Sequence, residues 1–221
     1  MDCKNKSCND GGGNDSPQLT APIASSCPLI YPPPMEKLFV SANELLAESF
    51  ELGLRIFESG YRPSYIVGVW RGGTPIGIAV QEVLDLLGCK TDHFAIRTAS
   101  YSGMDKQEKE VKVFGLQHLA ETLKPEDNLL IIDDVFDSGR SVEAILKTLG
   151  EMCQDKKPKD IRIATVYYKP QRNTTKRTPD FYLHETDKWT VFPHELDGLS
   201  AEEIRKNKPL PERIYNLLPE D

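Results

Sequence analysis

The residues best suited to chemistry lie in one stretch, Leu129-Leu130-Ile131-Ile132-Asp133-Asp134-Val135-Phe136-Asp137-Ser138-Gly139-Arg140-Ser141. The apolar run reads as a strand buried on both faces, and it delivers two adjacent acids to its carboxyl end. A tight turn follows and a helix opens at once. The backbone amides of Ser138 to Ser141 then meet the positive end of the helix dipole, which is a seat for phosphate. The hydroxyls of Ser138 and Ser141 add donors, and Gly139 lets the backbone approach closely. Asp133 and Asp134 lie within the reach of a ribose ring from that seat. One loop can therefore hold a sugar 5-phosphate by its amides and the sugar hydroxyls by carboxylates. An ordinary strand-to-helix turn needs only an N-cap, Asp137 or Ser138; the two strand acids exceed that need.

The elements that position this loop can be read from periodicity. Ser41 and Glu44 form a capping box, and Leu45, Leu46, Phe50, Leu54 and Phe57 follow at helical spacing until Gly60. Tyr65 to Trp70 is a short apolar strand, followed by the glycine turn Arg71-Gly72-Gly73. A helix from Pro75 to Leu87 comes next, with Ile76, Ile78, Ala79, Val83 and Leu87 mostly inward. His93 to Arg97 reads as a strand, Thr98 to Glu110 as a polar loop, Val111 to Phe114 as a strand and Leu116 to Leu123 as a helix. The acid-bearing strand, a helix from Ser138 to Met152 and a strand from Ile161 to Tyr168 complete the alternation. Such βαβ order predicts an α/β fold with a mostly parallel twisted sheet flanked by helices. Beyond Lys169 the chain is richer in proline and charge, with short strands (Phe181–Leu183, Thr190–Phe192) and a last helix near Leu199 to Lys206. This part reads as a small C-terminal hood over the carboxyl edge of the sheet, where open α/β sheets bind ligands. The expected organisation is a flexible tail over 1–34, a core over 35–169, and the hood with the C-terminal segment over 170–221.

Composition excludes several classes. The chain has 221 residues, 39% hydrophobic and 28% charged, which is a globular profile. Its 27 basic and 34 acidic residues give a net charge of -7, so the basic footprint of a nucleic-acid binder is missing. No run of about 18 apolar residues exists to span a membrane, and Met1 to Gly13 lacks the apolar core of a secretory signal. Cys3, Cys8, Cys27, Cys89 and Cys153 are scattered, unlike a zinc or disulfide framework. They read as free thiols of a cytoplasmic protein. His93, His118 and His184 lack ligand spacing and read as structural.

At the acid-bearing loop a family resemblance becomes specific. The pattern of four apolar residues, two acids, two apolar residues, then Asp, Ser, Gly, a basic residue and Ser resembles the ribose-phosphate signature of type I phosphoribosyltransferases. Trp70-Arg71-Gly72-Gly73 resembles the family's pyrophosphate loop, which implies a cis Trp70–Arg71 peptide and backbone amides turned to a diphosphate. Ser100-Tyr101 resembles the Ser-Tyr pair on the lid of hypoxanthine-guanine members, and Arg97 stands as a second cation for the diphosphate. Lys169 matches the lysine that donates to the exocyclic oxygen of a 6-oxopurine. Trp189 matches the aromatic that stacks on the base, and as Trp it is similar to the xanthine-guanine branch. Thr190 and Val191 would offer backbone groups to the base edge.

The resemblance covers about residues 38 to 195. It implies purine salvage: a 6-oxopurine (hypoxanthine, guanine or xanthine) displaces pyrophosphate from 5-phosphoribosyl 1-diphosphate, giving a nucleoside monophosphate. Mg2+ would accompany the diphosphate, with Asp133 and Asp134 holding the ribose side directly or through water, and Glu195 as a further metal candidate. Asp137 would take the proton at N7 of the base or only orient the purine. Homo-oligomers are implied, with an exposed face of the Pro75–Leu87 helix as interface. Alternatives are orotate, uracil or adenine as the base, a regulator that senses the diphosphate, and an inactive subunit. The intact acids and glycines speak against the last.

Overall fold

The computed structural model of the chain describes residues 36–102 and 109–219, with 100–102 and 109–110 as backbone only. The expected tail, Cys3, Cys8, Cys27, and the side chains of Ser100 and Tyr101 lie outside that description. In chain order the elements are β1 (Lys37–Phe39), α1 (Ala42–Glu58), β2 (Tyr65–Trp70), α2 (Gly73–Leu86), β3 (Asp92–Ser102), β4 (Lys109–Phe114), α3 (Gln117–Thr122), β5 (Asn128–Phe136), α4 (Arg140–Cys153), β6 (Asp160–Tyr168), β7 (Phe181–Glu185), β8 (Trp189–Val191), α5 (Ala201–Asn207) and α6 (Glu212–Tyr215).

Six strands form the main sheet in the order β4-β3-β2-β5-β6-β7. Every pairing is parallel except β3 with β4. Along β5 the side chains alternate as a strand requires. Leu130 and Ile132 pack with α1 and α2, through Leu52, Ile56, Ile76 and Val80. Leu129 and Ile131 pack on the other face with α3 and α4, through Leu119, Ile145 and Leu149. From β2 the sheet grows outward through β3, and from β5 it grows the opposite way through β6. The order reverses between β2 and β5, which is where an open α/β sheet leaves a crevice at its carboxyl end.

Three expectations are corrected. Thr98 to Glu110 is not one loop: β3 runs to Ser102 and β4 begins at Lys109, so Ser100 and Tyr101 sit in an antiparallel hairpin opposite Val111 and Glu110. Phe181 to Leu183 does not belong to the hood, because β7 extends the main sheet beside β6. The hood strand β8 pairs instead with β1, three residues that carry no periodicity signal of their own. Finally, Ile78 and Leu87 of the second helix are exposed, and its inward set is Ile76, Gly77, Ala79, Val80 and Leu84. On α1, Leu46, Phe50 and Leu54 are likewise exposed, while Leu45, Ser49, Leu52, Gly53 and Ile56 face the core. Cys89 and Cys153 are buried free thiols.

The start of α1 follows the sequence closely. Ser41 Oγ accepts from Glu44 N at 3.1 Å, and Glu44 Oε2 accepts from Ser41 N at 3.3 Å, a reciprocal capping box. Ser41→Ala removes one half of it. Urea unfolding should show a loss of about 1 kcal/mol.

Candidate active site

Two helices start at the crevice, one from each flanking strand. α2 follows β2 with Gly72 as N-cap, and α4 follows β5 with Gly139 as N-cap; neither has a side-chain capping hydrogen bond. The first amides of both helices are therefore not consumed by a cap, and each N-terminus can receive an anion. The expectation that Asp137 or Ser138 might merely cap α4 is thereby resolved in favour of the glycine. Gly139 has φ +78°, a left-handed conformation that side chains disfavour, and a Cβ there would also run into Thr175.

The two loops touch. A Cβ at Gly72 would lie inside the Asp134 carboxylate, and one at Gly73 would overlap the Ile132 carbonyl and Asp133 Cα. These two glycines let the turn after β2 lie directly against the acids at the end of β5. The Trp70–Arg71 peptide is cis. Arg97 is exposed and sits opposite Trp70 in the β2–β3 register, with its guanidinium 5.8 Å from the Phe114 ring centroid. Gly72→Ala should push the Asp134 carboxylate or the turn aside. Displacement of that order costs about 10²-fold in kcat/KM, which donor-dependent steady-state kinetics would register.

The acids of β5 differ in what they face. Asp134 N donates to Asp133 Oδ1 at 3.0 Å, and Val135 N donates to Asp134 Oδ1 at 2.8 Å. Burial, then the charge of Asp134, pushes the Asp133 carboxyl well above its usual range. Burial, with Glu195 adding to it, also pushes Asp134 up, although the hydrogen bond with Asp133 opposes this. Asp134 meets the hood: its carboxylate, His194 and Glu195 offer ligand atoms that all lie within 4.8 Å of one another. Glu195 is held in place by Phe192 N, which donates to its Oε2 at 3.0 Å. Of the predicted metal residues, the structure brings Asp134 and Glu195 together and leaves Asp133 outside the cluster. His194, which carried no spacing signal, joins them.

Beyond Phe136 the loop turns toward β6. A cavity of about 460 Å³ is lined by Val111, Asp137, Ser138, Arg140, Ser141, Arg172 and Thr174. Beside Asp137 and Val111, three of these positions are predicted phosphate-loop residues, Ser138, Arg140 and Ser141, while Arg172 and Thr174 escaped the sequence reading. They lie just after Lys169 in a stretch rich in charge and proline. A basic residue one short turn beyond the lysine was the available signal.

Lys169 is only 4% exposed, and its Nζ lies 3.7 Å from Asp137 Oδ2. Burial pulls its ammonium below the ordinary lysine range, and Asp137 opposes that pull. Trp189 is 37% exposed. The Lys37 ammonium, brought over by β1, lies 4.7 Å from the centre of its ring. Along β8, Trp189 N donates to Glu36 O at 2.9 Å and Val191 O accepts from Val40 N at 3.1 Å, so both face β1. Strand alternation then turns the Thr190 backbone to the other edge. Of the two residues expected to meet a base edge with backbone groups, Thr190 has the open orientation and the Val191 carbonyl does not.

The arrangement thus combines two glycine-capped helix N-termini, a half-buried acid pair beside them, and an acid–lysine pair at the adjoining strand end. Comparison with known proteins shows the family. The phosphoribosyl transferase domain model matches residues 41–198. The hypoxanthine-guanine phosphoribosyltransferase of Streptococcus pyogenes is 25% identical over 190 residues, covering 82% of this chain and 97% of its own. The xanthine-guanine phosphoribosyltransferase of Cereibacter sphaeroides is 30% identical over 171 residues, covering 74% of this chain and 90% of its own. Among solved structures, the purine phosphoribosyltransferase from Pyrococcus horikoshii matches with a TM-score of 0.61 at 26% identity, over 75% of this chain and 98% of the other. The chain belongs to the phosphoribosyl transferase domain family, as a type I phosphoribosyltransferase close to the purine enzymes.

Proposed function

We propose that this enzyme transfers the phosphoribosyl group of 5-phosphoribosyl 1-diphosphate to a 6-oxopurine (hypoxanthine, guanine or xanthine), releasing pyrophosphate. The observation that carries this reading is the buried Lys169 ammonium 3.7 Å from Asp137, which itself lines the cavity shared with the phosphate loop. A lysine donor suits an exocyclic oxygen, and a neighbouring carboxylate suits the N7 proton.

In this reading the amides at the start of α4, with Ser138, Arg140 and Ser141, seat the 5′-phosphate. The turn Arg71-Gly72-Gly73 and the start of α2 receive the diphosphate, with Arg97, Ser100 and Tyr101 contributing from the β3–β4 hairpin. Asp133 and Asp134 hold the ribose hydroxyls. Lys169 polarises the base oxygen, Trp189 stacks on the ring, and Thr190 offers its backbone to the base edge. Asp137 accepts the N7 proton as N9 attacks C1 of the sugar. Oxygen ligands suit Mg2+, and Asp134 and Glu195, close together beside the turn that Gly72 opens, fit such an ion. Bound there with the diphosphate, Mg2+ would offset the charge that builds on the leaving group.

No helix among the described residues is long and apolar enough to cross a bilayer. A cytoplasmic location accords with purine salvage, and the exposed Ile78 and Leu86 on α2 support self-association through that helix. Calorimetry with nucleoside monophosphates tests the base assignment. The inosine, guanosine or xanthosine 5′-monophosphate that binds most tightly should exceed adenosine 5′-monophosphate by about 10²-fold or more. Equal affinities would overturn it.

A further inference from the structure

Asp137 is held by two cations, one on each oxygen. Lys169 Nζ is 3.7 Å from Oδ2, and Arg172 Nε is 2.9 Å from Oδ1. Arg172 ends the short 3-10 turn Pro170–Arg172, and its backbone N donates to Lys169 O at 3.1 Å. The chain after it is fastened to the phosphate loop. Thr174 donates to Ser138 O twice, from N at 3.1 Å and from Oγ1 at 3.0 Å. Thr175 packs against Gly139 closely enough that a Cβ there would clash with it. Arg172 also lines the cavity of about 460 Å³ shared with Ser138, Arg140 and Ser141. One guanidinium therefore borders both the carboxylate assigned to the base and the seat assigned to the phosphate.

We propose that Arg172 is a positioning residue that couples the sugar's 5′-phosphate to Asp137, by sharing its guanidinium between the phosphate oxygens and the Asp137 carboxylate. A guanidinium carries a permanent charge and a rigid, planar set of donors suited to oxyanions. An ion pair between two half-exposed side chains adds little to stability by itself. The same pair facing a phosphate seat does more, because a bound dianion fixes the guanidinium and the guanidinium fixes the carboxylate. Asp137 would then be aligned for the purine only when the phosphoribosyl group is in place. The inference rests on the proposed function for the identity of the purine, but its phosphate half does not.

The test compares wild type with Arg172→Gln and Arg172→Lys, after circular dichroism and thermal melting establish that each is folded. Inorganic phosphate, a nucleoside and its 5′-monophosphate serve as probes in calorimetry. Arg172→Gln should weaken phosphate and monophosphate about 10–100-fold, the size of a charge-assisted contact, and change nucleoside affinity by less than about threefold. Arg172→Lys, which keeps the charge but not the fork, should recover part of the loss. In a double-mutant cycle for phosphate binding, Asp137→Asn should change affinity in the Arg172 background and not in the Arg172→Gln background. Equal weakening of nucleoside and monophosphate, or an unchanged phosphate affinity, would overturn the proposal. A zero coupling in the cycle would do the same. If phosphate binding depends on Arg172 and couples to Asp137 while no purine nucleotide binds, the coupling stands and the purine reading falls.

Discussion

Replacing Asp137 by Asn should lower kcat by about 10²–10⁴, with a much smaller change in KM for the phosphoribosyl donor. The substitution keeps the shape of the side chain and removes its charge. It leaves Arg172 and Lys169, at 2.9 Å and 3.7 Å, without the carboxylate they share. In the proposed reading the donor is held mainly by the amides of two glycine-capped helices and by the acids of β5, with Arg172 linking its 5′-phosphate to Asp137. A group that takes a proton as the base attacks shows up chiefly in turnover, and its coupling to the phosphate through Arg172 should shift donor binding much less. Pre-steady-state and steady-state rates at saturating donor measure this. A decrease in kcat below about tenfold would assign Asp137 an orienting role and leave proton removal to water.

The second large effect is on base choice. Lys169→Met should reduce the preference for a 6-oxopurine over adenine by about 10²-fold or more. A buried ammonium donates to an exocyclic oxygen and finds no acceptor in an exocyclic amine, and sites built on such a hydrogen bond discriminate strongly. At 4% exposure the Lys169 side chain has little water to make up the loss. The ratio of kcat/KM values for hypoxanthine and adenine reads this directly. The pH dependence carries a sign as well. Because burial lowers the Lys169 pKa, its charge is lost at a pH below the ordinary lysine value of about 10.4. Affinity for the 6-oxopurine should therefore fall as pH rises through that lowered value. In Lys169→Met this step should be absent.

What was legible in the sequence is what is local in the chain. The loop from Asp133 to Ser141 announces itself because a buried strand, two acids, a glycine and a helix start are contiguous. The same holds for the turn at Gly72-Gly73 and for Lys169 at the end of β6. The contact between these segments was not legible, since it depends on β2 and β5 lying side by side. Nor was the pairing of Lys37 with Trp189, which joins two three-residue strands from opposite ends of the described chain. Periodicity cannot speak in so short a segment. The hairpin around Ser100 was obscured by its polar sequence, because Thr98 to Glu110 shows no apolar alternation. Phe181 to Leu183 reads as hood because the stretch after Lys169 is rich in proline and charge, and β7, a partly buried edge strand, has no continuous apolar run to mark it as part of the main sheet. His194 gave no motif; it matters only because the hood folds Pro193-His194-Glu195 toward Asp134. Arg172 was hidden among charged neighbours, and the Asp137 ion pair is what distinguishes it.

The measurement that bears most directly on the whole account is a steady-state assay with 5-phosphoribosyl 1-diphosphate and magnesium. Each of hypoxanthine, guanine, xanthine, adenine, orotate and uracil is offered as acceptor. The account predicts pyrophosphate release and nucleotide formation with at least one 6-oxopurine, and little or none with the other three. Turnover confined to adenine or a pyrimidine would contradict the assignment of Lys169 and Trp189. Donor binding without turnover of any base would contradict the enzyme reading and point to a sensor of the diphosphate.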